Sequence, residues 1–232
     1  MFLDSIFPAV CPVCGEISGD REKGFCRECL KKLRFVRTPL CQKCGRPVIS
    51  VRQKLCLGCA KSKRSFAGGV SLLCYDSFAK EMMAQIKYRN RRDMIAPLMS
   101  LLYERCKDRI DSIQAECIIP VPVHAERLKE RGYNQAELMA RELSSYTGLP
   151  VRKDILLRQK KTAALKKLNP EERFHTLTEA FTAEPKAAHY QRVILMDDIY
   201  TTGSTVEICT RALQKAGIPE VYFVTVCIGE DL

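Results

Sequence analysis

Apolar positions beyond residue 69 recur with two different periods, and the period separates predicted strands from predicted helices. Short continuous apolar runs predict four strands, at Val70–Tyr75, Cys117–Val121, Arg192–Met196 and Val221–Cys227. Apolar residues three and four positions apart predict four helices, at Ser77–Tyr88, Arg92–Arg109, Asn134–Ser145 and Gly203–Lys215. Because strands alternate with helices, we expect an α/β domain with a mostly parallel sheet flanked by helices, and ligands at the turns from strand to helix.

The first 64 residues are organised by cysteine instead. Eight of the 13 cysteines form Cys-x-x-Cys pairs, and 11 residues separate each pair from the next. The pairs are Cys11 with Cys14, Cys26 with Cys29, Cys41 with Cys44, and Cys56 with Cys59. The segment therefore contains an internal repeat with a period of 30 residues.

This cysteine spacing is typical of structural zinc. One Cys-x-x-Cys turn directs two thiolates to one ion, and two such turns complete a closed tetrahedral site of four cysteines. Gly15 and Gly45 follow two of the pairs and permit the tight turn. The alternatives are disulfides, which a reducing compartment disfavours, and unrelated buried cysteines. On this spacing we predict two structural Zn²⁺ ions. Equal gaps allow the four pairs to combine either sequentially or in an interleaved order.

The other five cysteines lie in apolar surroundings, and we predict that they are ordinary buried side chains. They are Cys74, Cys106, Cys117, Cys209 and Cys227.

The formal net charge of +11 is concentrated near the N-terminus. Residues 1–66 contain 14 Lys and Arg against 5 Asp and Glu, whereas the remaining residues contain 24 against 22. Zinc-bound thiolates would lower these values to about +5 for residues 1–66 and about +7 for the chain, because the ligands must lose their protons. The basic excess that remains suits an anionic partner, such as nucleic acid or an acidic protein.

A basic stretch of small residues, Lys61–Gly69, predicts a linker between a cysteine-rich zinc-binding region at 1–64 and an α/β domain at 65–232. The N-terminus lacks a basic start and carries Asp4 within its apolar stretch, which is unlike a signal peptide. No apolar run approaches the ~20 residues that span a bilayer. We therefore expect a cytoplasmic protein with no integral membrane segment.

The segment Arg192–Val206 combines two kinds of ligand group. A buried strand leads to two carboxylates, Asp197 and Asp198, at its predicted end, and a Thr/Gly/Ser loop then opens a helix. The helix N-terminus offers unpaired N–H groups to a phosphate, and Gly203 lets the backbone approach it. Hydroxyl groups that add hydrogen bonds belong to Thr201, Thr202, Ser204 and Thr205. Since carboxylates repel phosphate and suit sugar hydroxyls, the pattern predicts a ribose 5-phosphate site.

This segment resembles the signature with which type I phosphoribosyltransferases bind phosphoribosyl pyrophosphate (PRPP). The resemblance implies that Asp197 and Asp198 hold the ribose 2′ and 3′ hydroxyls, and that the Thr201–Thr205 loop binds the 5-phosphate. Members acting on 6-oxopurines carry a carboxylate base where this chain has Thr201, so that substrate class is disfavoured.

A second segment, Ile119–Arg141, reads IPVPVHAERLKERGYNQAELMAR and follows a predicted strand end, where the pyrophosphate loop of that family lies. Together with the cysteine-rich start, it resembles the ComF/ComFC family of competence-associated proteins. The resemblance implies that the pyrophosphate of PRPP is held by Arg127 and by the backbone of Val121 and Val123, and that Mg²⁺ is bound through phosphate oxygens. It also makes Arg131 and His124 candidate catalytic residues, although His124 as a base competes with His124 as a residue that only orients the loop.

The chain departs from the pattern of many relatives between Arg158 and Phe181. Leu165 and Thr176 stand where those relatives have Gln and Asn, whereas Arg173, Ala180 and Phe181 fit. The basic segment 158–168 is interpreted either as a hood loop that closes over pyrophosphate or as a solvated hairpin.

Two functions are consistent with these motifs. The first is a Mg²⁺-dependent phosphoribosyltransferase whose acceptor no motif identifies. The second is a non-catalytic module in which the PRPP fold senses a nucleotide and the zinc region holds single-stranded DNA or a partner. The family resemblance implies DNA uptake during natural transformation, with single-stranded DNA and a helicase-like competence ATPase as partners. Lys87–Arg92, with Tyr88, is interpreted either as a track for a DNA backbone or as a solvated helix end.

Overall fold

The computed structural model describes residues 10–17, 24–158 and 180–230. The α-helices are α1 (Arg27–Lys32), α2 (Leu57–Lys61), α3 (Ser77–Tyr88), α4 (Ile95–Asp111), α5 (Ala125–Arg131), α6 (Gln135–Thr147) and α7 (Ser204–Lys215). The strands are β1 (Gly68–Cys74), β2 (Cys117–Pro120), β3 (Leu156–Arg158), β4 (Phe181–Ala183), β5 (Arg192–Tyr200) and β6 (Glu220–Ile228). Short 3-10 turns occupy Arg92–Met94 and Pro185–His189.

The main sheet has the order β1-β6-β5-β2, and every neighbouring pair in it is parallel. Strands β3 and β4 form a separate antiparallel pair. Parallel strands need crossover connections, which here are helices that pack on the two faces of the sheet. The predicted class, an α/β fold with a mostly parallel sheet flanked by helices, is confirmed.

Both edges of the main sheet are covered by backbone from neighbouring segments. On β1, the Val36 N–H donates to the Leu72 carbonyl at 2.9 Å, where the chain runs antiparallel to the strand. On β2, the Ile118 N–H donates to the Pro150 carbonyl at 2.9 Å. Covered edges leave fewer unpaired backbone groups for another chain to pair with.

Side chains of the central strands alternate between two hydrophobic cores. Ile194 and Met196 of β5 belong to the core under α3, α4 and α6, whereas Val193 and Leu195 belong to the core under α7 and β3. Cys11, Cys26 and Cys29 pack into the first core, and the four cysteines between Cys41 and Cys59 pack into the second. The cysteine-rich region therefore contacts both faces of the sheet.

Helix α3 spans the predicted Ser77–Tyr88, but β5 departs from its prediction. Strand β5 was predicted to end at Met196, whereas it continues through both aspartates to Tyr200. The reason is that β6 keeps pairing with β5 as far as Tyr200, opposite Ile228, after β2 has ended at Pro120. The carboxylates therefore lie within a strand, beyond the end of its neighbour.

Helix α5 was not predicted. None of its residues is buried, and Leu128 is the large apolar side chain it exposes. Without an apolar stripe, a helix has no periodic signal in the sequence. Its start is set by His124, whose Nδ1 accepts a hydrogen bond from the Glu126 N–H at 3.4 Å.

The predicted linker, Lys61–Gly69, is held against the domain that follows it. Phe66 is completely buried, and the Ser65 hydroxyl donates to Glu207 of α7 at 2.7 Å. Gly68 and Gly69 already belong to β1. The division into 1–64 and 65–232 stays a prediction.

Within the three described ranges, every helix falls short of the length and apolarity that would be needed to cross a bilayer.

Candidate functional site

Strands β2 and β5 are parallel neighbours, so the loops that follow them leave the same end of the sheet, although β5 continues to Tyr200 beyond the end of β2. The loop after β2 and the loop after β5 therefore meet at one edge of the sheet, the position at which open α/β sheets bind ligands. A cavity of about 260 Å³ lies there. Its lining consists of Lys87, Val121, Pro122, Val123, Arg127, Arg131, Gln135, Arg158, Asp197, Asp198, Ile199, Thr201 and Thr205.

The two aspartates at the floor of the cavity are buried and have different partners. Asp198 lies 2.6 Å from the Lys87 ammonium and accepts a hydrogen bond from the Gln135 amide at 3.1 Å. Asp197 accepts the backbone N–H of Asp198 at 2.8 Å. Burial, followed by the neighbouring Asp198 charge, raises the pKa of Asp197 well above the ordinary aspartate range.

A series of hydrogen-bonded side chains connects Asp198 to Arg131. Gln135, which is buried, donates to Asp198 and in turn accepts a hydrogen bond from the Arg131 guanidinium. Beside it, the Asn134 amide donates to the Val121 carbonyl at 3.0 Å. The start of α6 therefore holds both the carboxylate floor and the loop after β2.

The loop after β5 turns sharply into α7. Gly203 has a φ of +78°, and a Cβ at this position would lie 2.4 Å from the Tyr200 hydroxyl. The Thr202 and Ser204 hydroxyls lie 2.9 Å apart. A small cavity of about 30 Å³ is enclosed by residues 199–206, next to the larger one. Since α7 is 12 residues long, its N-terminus presents aligned N–H groups beside this cavity.

A second cavity of about 420 Å³ adjoins the first and shares Lys87, Arg127 and Arg131 with it. Tyr88 lies on its wall, is 75% exposed, and has the Arg131 guanidinium 5.6 Å from the centre of its ring. Glu130 is the acidic residue among its lining residues. This cavity is cationic and offers an aromatic face.

The cysteines form two groups of four, Cys11–Cys14–Cys26–Cys29 and Cys41–Cys44–Cys56–Cys59. Within each group all sulfur atoms lie within 4.8 Å of one another, and Cys44 and Cys56 are 3.6 Å apart. A tetrahedron with Zn–S bonds of about 2.3 Å places its sulfurs about 3.8 Å apart, so both groups fit a zinc ion. The grouping is the sequential one of the two that the spacing allowed.

The structure gathers most of the predicted binding residues at one place. Asp197, Asp198, Thr201, Thr205, Val121, Val123, Arg127 and Arg131 line the 260 Å³ cavity. Thr202, Gly203 and Ser204 line the small cavity of the loop. His124 is absent from both sets of lining residues in the described part of the chain, and its ring instead accepts the N–H at the start of α5. This contact favours the orienting role over the base.

Sequence reasoning missed Lys87 and Gln135 as members of this site. The sequence offers Lys87 as part of a DNA track or of a solvated helix end, yet its ammonium contacts Asp198, which lies 111 positions further along the chain. Gln135 was part of a recognised motif, but a motif does not reveal which carboxylate it binds. Arg158, the first residue of the predicted hood loop 158–168, lies on the cavity wall. The rest of that loop, including Leu165, lies outside the described residues, as do Arg173 and Thr176.

The five cysteines outside the two groups of four are buried side chains, as predicted. His189 is exposed, and His175 lies outside the described residues.

Fold and cysteine groups together define an α/β protein with a parallel sheet and two N-terminal four-cysteine groups. Residues 2–60 match the double zinc ribbon domain family. The chain is 34% identical to competence protein F of Haemophilus influenzae over 145 residues, which are 60% of this chain and 63% of that protein. It is 29% identical to competence protein ComFC of Bacillus subtilis over 148 residues, 63% of this chain and 58% of that protein.

A third relative, the DNA utilization protein YhgH of Salmonella typhimurium, is 29% identical over 161 residues, 68% of this chain and 70% of that protein. The resemblance to the ComF/ComFC proteins is thereby confirmed at the level of sequence similarity. The match spans less than two thirds of the length of the first two relatives, at 63% and 58%.

Proposed function

We propose that this chain binds PRPP together with Mg²⁺ in the 260 Å³ cavity and is a phosphoribosyltransferase-like protein. The observation that carries the proposal is the convergence of three groups on one cavity: a buried carboxylate pair, a hydroxyl-rich loop at a helix N-terminus, and three arginines. A ribose 5-phosphate that carries a pyrophosphate needs these groups in this combination. The carboxylates accept the ribose hydroxyls, and the loop holds the 5-phosphate.

The cationic side of the cavity suits the pyrophosphate. Arg127 and Arg131 lie on α5, next to the backbone of Val121 and Val123. Mg²⁺ would be bound through phosphate oxygens while keeping several waters, as this ion prefers. If the chain is catalytic, pyrophosphate departs from the anomeric carbon as an acceptor attacks, and its growing charge is stabilised by these cations and backbone donors.

Lys87 adds a further cation to the cavity and forms an ion pair with Asp198. Its ammonium neutralises one of the two buried carboxylates at 2.6 Å, so the pair is not left as two uncompensated charges. When ribose hydroxyls occupy the carboxylates, the same ammonium lies within the cavity and is available to the pyrophosphate. Lys87 therefore joins Arg127 and Arg131 among the expected PRPP ligands.

Calorimetric titration with PRPP and MgCl₂ tests the binding proposal. The wild type is expected to bind, and Asp197→Asn/Asp198→Asn is expected to lose at least about tenfold in affinity through lost charge-assisted hydrogen bonds. Asp108→Asn, an exposed carboxylate on α4 outside the cavity, is the matched control and should bind as the wild type does. Absence of heat from PRPP and Mg²⁺ with the wild type would overturn the assignment.

Release of pyrophosphate measures catalysis separately from binding. Incubation with PRPP, Mg²⁺ and a metabolite extract should release pyrophosphate above the rate of PRPP alone, and the release should require Arg131. A rate unchanged by the extract would leave a protein that binds PRPP without transferring it.

The relatives carry names that refer to competence and to DNA utilization. We infer that this chain likewise serves DNA uptake or use, in a cytoplasmic setting, with single-stranded DNA and a helicase-like competence ATPase as proposed partners. In the second candidate function it is a non-catalytic module that binds DNA, with the PRPP site as a nucleotide sensor. The 420 Å³ cavity favours this candidate, because it combines three cations with the exposed ring of Tyr88.

Fluorescence anisotropy with a labelled single strand tests the second candidate. Tyr88→Ala is expected to weaken binding by about 1–3 kcal/mol through lost base stacking, and affinity should fall as salt rises. Tyr146→Ala on α6, whose ring stacks on Tyr103 instead, serves as control and should bind normally. Equal affinity of the Tyr88 variant and the wild type would place DNA binding elsewhere.

A further inference from the structure

Two arginines donate hydrogen bonds to backbone carbonyl groups of the loop after β5. An Arg46 Nη donates to the Thr201 carbonyl at 2.6 Å, and an Arg64 Nη donates to the Thr202 carbonyl at 3.0 Å. Arg46 is 7% exposed, so its contact is shielded from water. These two carbonyls belong to the loop that the proposed function assigns to the 5-phosphate.

Arg46 lies in the Cys41–Cys44 turn of the second four-cysteine group. It follows Cys44 and Gly45, and its own carbonyl accepts the Cys41 N–H at 2.7 Å. The backbone of Arg46 is therefore placed by the turn that directs Cys41 and Cys44 to a metal. Its guanidinium reaches across 155 positions of sequence to the loop.

Aromatic packing makes this connection continuous. The Arg46 guanidinium lies 5.8 Å from the centre of the Tyr200 ring, and Tyr200 stacks on Phe223 with centroids 4.6 Å apart. Phe66, next to the Arg64 segment, meets the Phe223 ring edge-on at 5.0 Å. The Tyr200 hydroxyl lies directly against Gly203. The Cys41–Cys44 turn, the three aromatic rings and the loop after β5 therefore pack against one another.

The direction of these hydrogen bonds matters for anion binding. A loop that binds phosphate must point its N–H groups at the anion and its carbonyls away from it, because carbonyl oxygens repel phosphate. Guanidinium groups behind the loop stabilise the carbonyls in that direction. They also add positive charge near the loop, although neither arginine is among the described residues that line the 260 Å³ and 30 Å³ cavities.

We propose that Arg46 and Arg64 are positioning residues of the phosphate-binding loop, and that the second four-cysteine group, through Arg46, supports ribose 5-phosphate binding. The inference rests on the proposed function, since it assigns the phosphate to this loop. The first four-cysteine group packs on the opposite face of the sheet and has no such connection among the described contacts. The two zinc ribbons would thus differ in function although they repeat in sequence.

Ribose 5-phosphate is the probe for the arginines, because it contacts the loop without needing the pyrophosphate side. Arg46→Met and Arg64→Met are each expected to weaken its binding about tenfold, the effect of losing one charged hydrogen bond that orders the loop. Hydrogen exchange of residues 201–205 should accelerate in both variants. Arg52→Ala, an exposed arginine on the same ribbon, should change neither quantity.

Two further variants separate positioning from folding. Arg46→Lys keeps the charge but not the fork of donors, and should lie between the wild type and Arg46→Met. Cys59→Ser in the second group should weaken ribose 5-phosphate binding, whereas Cys14→Ser in the first, with an exposed side chain, should leave it unchanged. A folding defect is least expected for Arg64→Met, because Arg64 is partly solvent-accessible.

The outcomes are distinguishable. If the wild type binds neither ribose 5-phosphate nor PRPP, the proposed function fails. If the wild type binds, but Arg64→Met and Arg46→Lys bind as tightly and exchange as slowly as it does, the positioning inference alone is overturned. Equal effects of Cys14→Ser and Cys59→Ser would overturn the assignment of this role to the second group.

Discussion

At the residue scale, the two neighbouring aspartates are electrostatically unequal. Asp198 has a cation, Lys87, at 2.6 Å and a Gln135 hydrogen bond, whereas Asp197 accepts one backbone N–H. A buried charge without a cation of its own costs free energy, and a buried ion pair loses stability when one partner is removed. Substitution by asparagine should therefore change the free energy of unfolding in opposite directions at Asp197 and Asp198.

Asp197→Asn should stabilise the ligand-free protein by roughly 1–3 kcal/mol at alkaline pH. Burial and the Asp198 charge raise the pKa of Asp197, so its charged form destabilises the folded state above that pKa. The amide can still accept the Asp198 N–H. As pH falls through the raised pKa, the wild-type carboxyl gains its proton and the advantage shrinks, and it disappears below the ordinary aspartate pKa. Urea unfolding at several pH values measures this.

Asp198→Asn should destabilise the protein by roughly 1–3 kcal/mol near neutral pH, because it leaves the Lys87 ammonium without its carboxylate. Urea unfolding of the two variants side by side provides the comparison. Stabilisation by both substitutions would contradict the assignment of the Lys87 ion pair to Asp198.

At the scale of elements, the turn from β5 into α7 depends on one glycine. Gly203→Ala places a side chain at a φ of +78° and 2.4 Å from the Tyr200 hydroxyl. We expect a loss of about 2 kcal/mol or more in the free energy of unfolding, and at least tenfold weaker ribose 5-phosphate binding. Thermal melts and calorimetry on the same samples check both effects.

Gly148→Ala is the matched control, since Gly148 has a similar φ of +72° but open space around it. It should cost about 1 kcal/mol and leave ligand binding unchanged. If both glycine variants bind ligand equally well, close contact with Tyr200 does not shape the loop.

Element prediction from sequence succeeded where periodicity was strong and failed where it was weak. Helix α3 has a buried apolar face and was predicted to the residue, whereas α5 buries nothing and was missed. Strand β5 was predicted too short because Asp197 and Asp198 look like a strand end. Its true end at Tyr200 is set by pairing with β6, a segment more than 20 residues away.

At the scale of the whole molecule, the two cysteine groups pack into the two cores of one sheet. Cys11, Cys26 and Cys29 share a core with α4, and Cys44 and its partners share one with α7. Since zinc binding in such groups contributes directly to folding, we expect the metal to stabilise the sheet domain as well as the two cysteine groups.

Metal analysis is expected to find two zinc ions per chain, and a strong chelator should lower the melting temperature by about 5 °C or more. Cys44→Ser should retain one zinc ion and melt earlier than the wild type, because Cys44 is completely buried within its group. Cys106→Ser, a buried cysteine outside both groups, should retain two. Two zinc ions bound by the Cys44 variant would contradict the assigned ligands.

The sequence by itself determined what depends on neighbours along the chain. Periodicity gave the α/β class, the repeated Cys-x-x-Cys pairs gave two four-cysteine groups, and Asp197–Thr205 gave a candidate site, because each signal lies within a short stretch. The tertiary structure decided what depends on long-range contact. It placed Lys87 on Asp198 and Arg46 on Thr201, and it chose the sequential cysteine grouping. Such contacts are set by sheet order and core packing, which bring together residues whose separation in sequence carries no local signal.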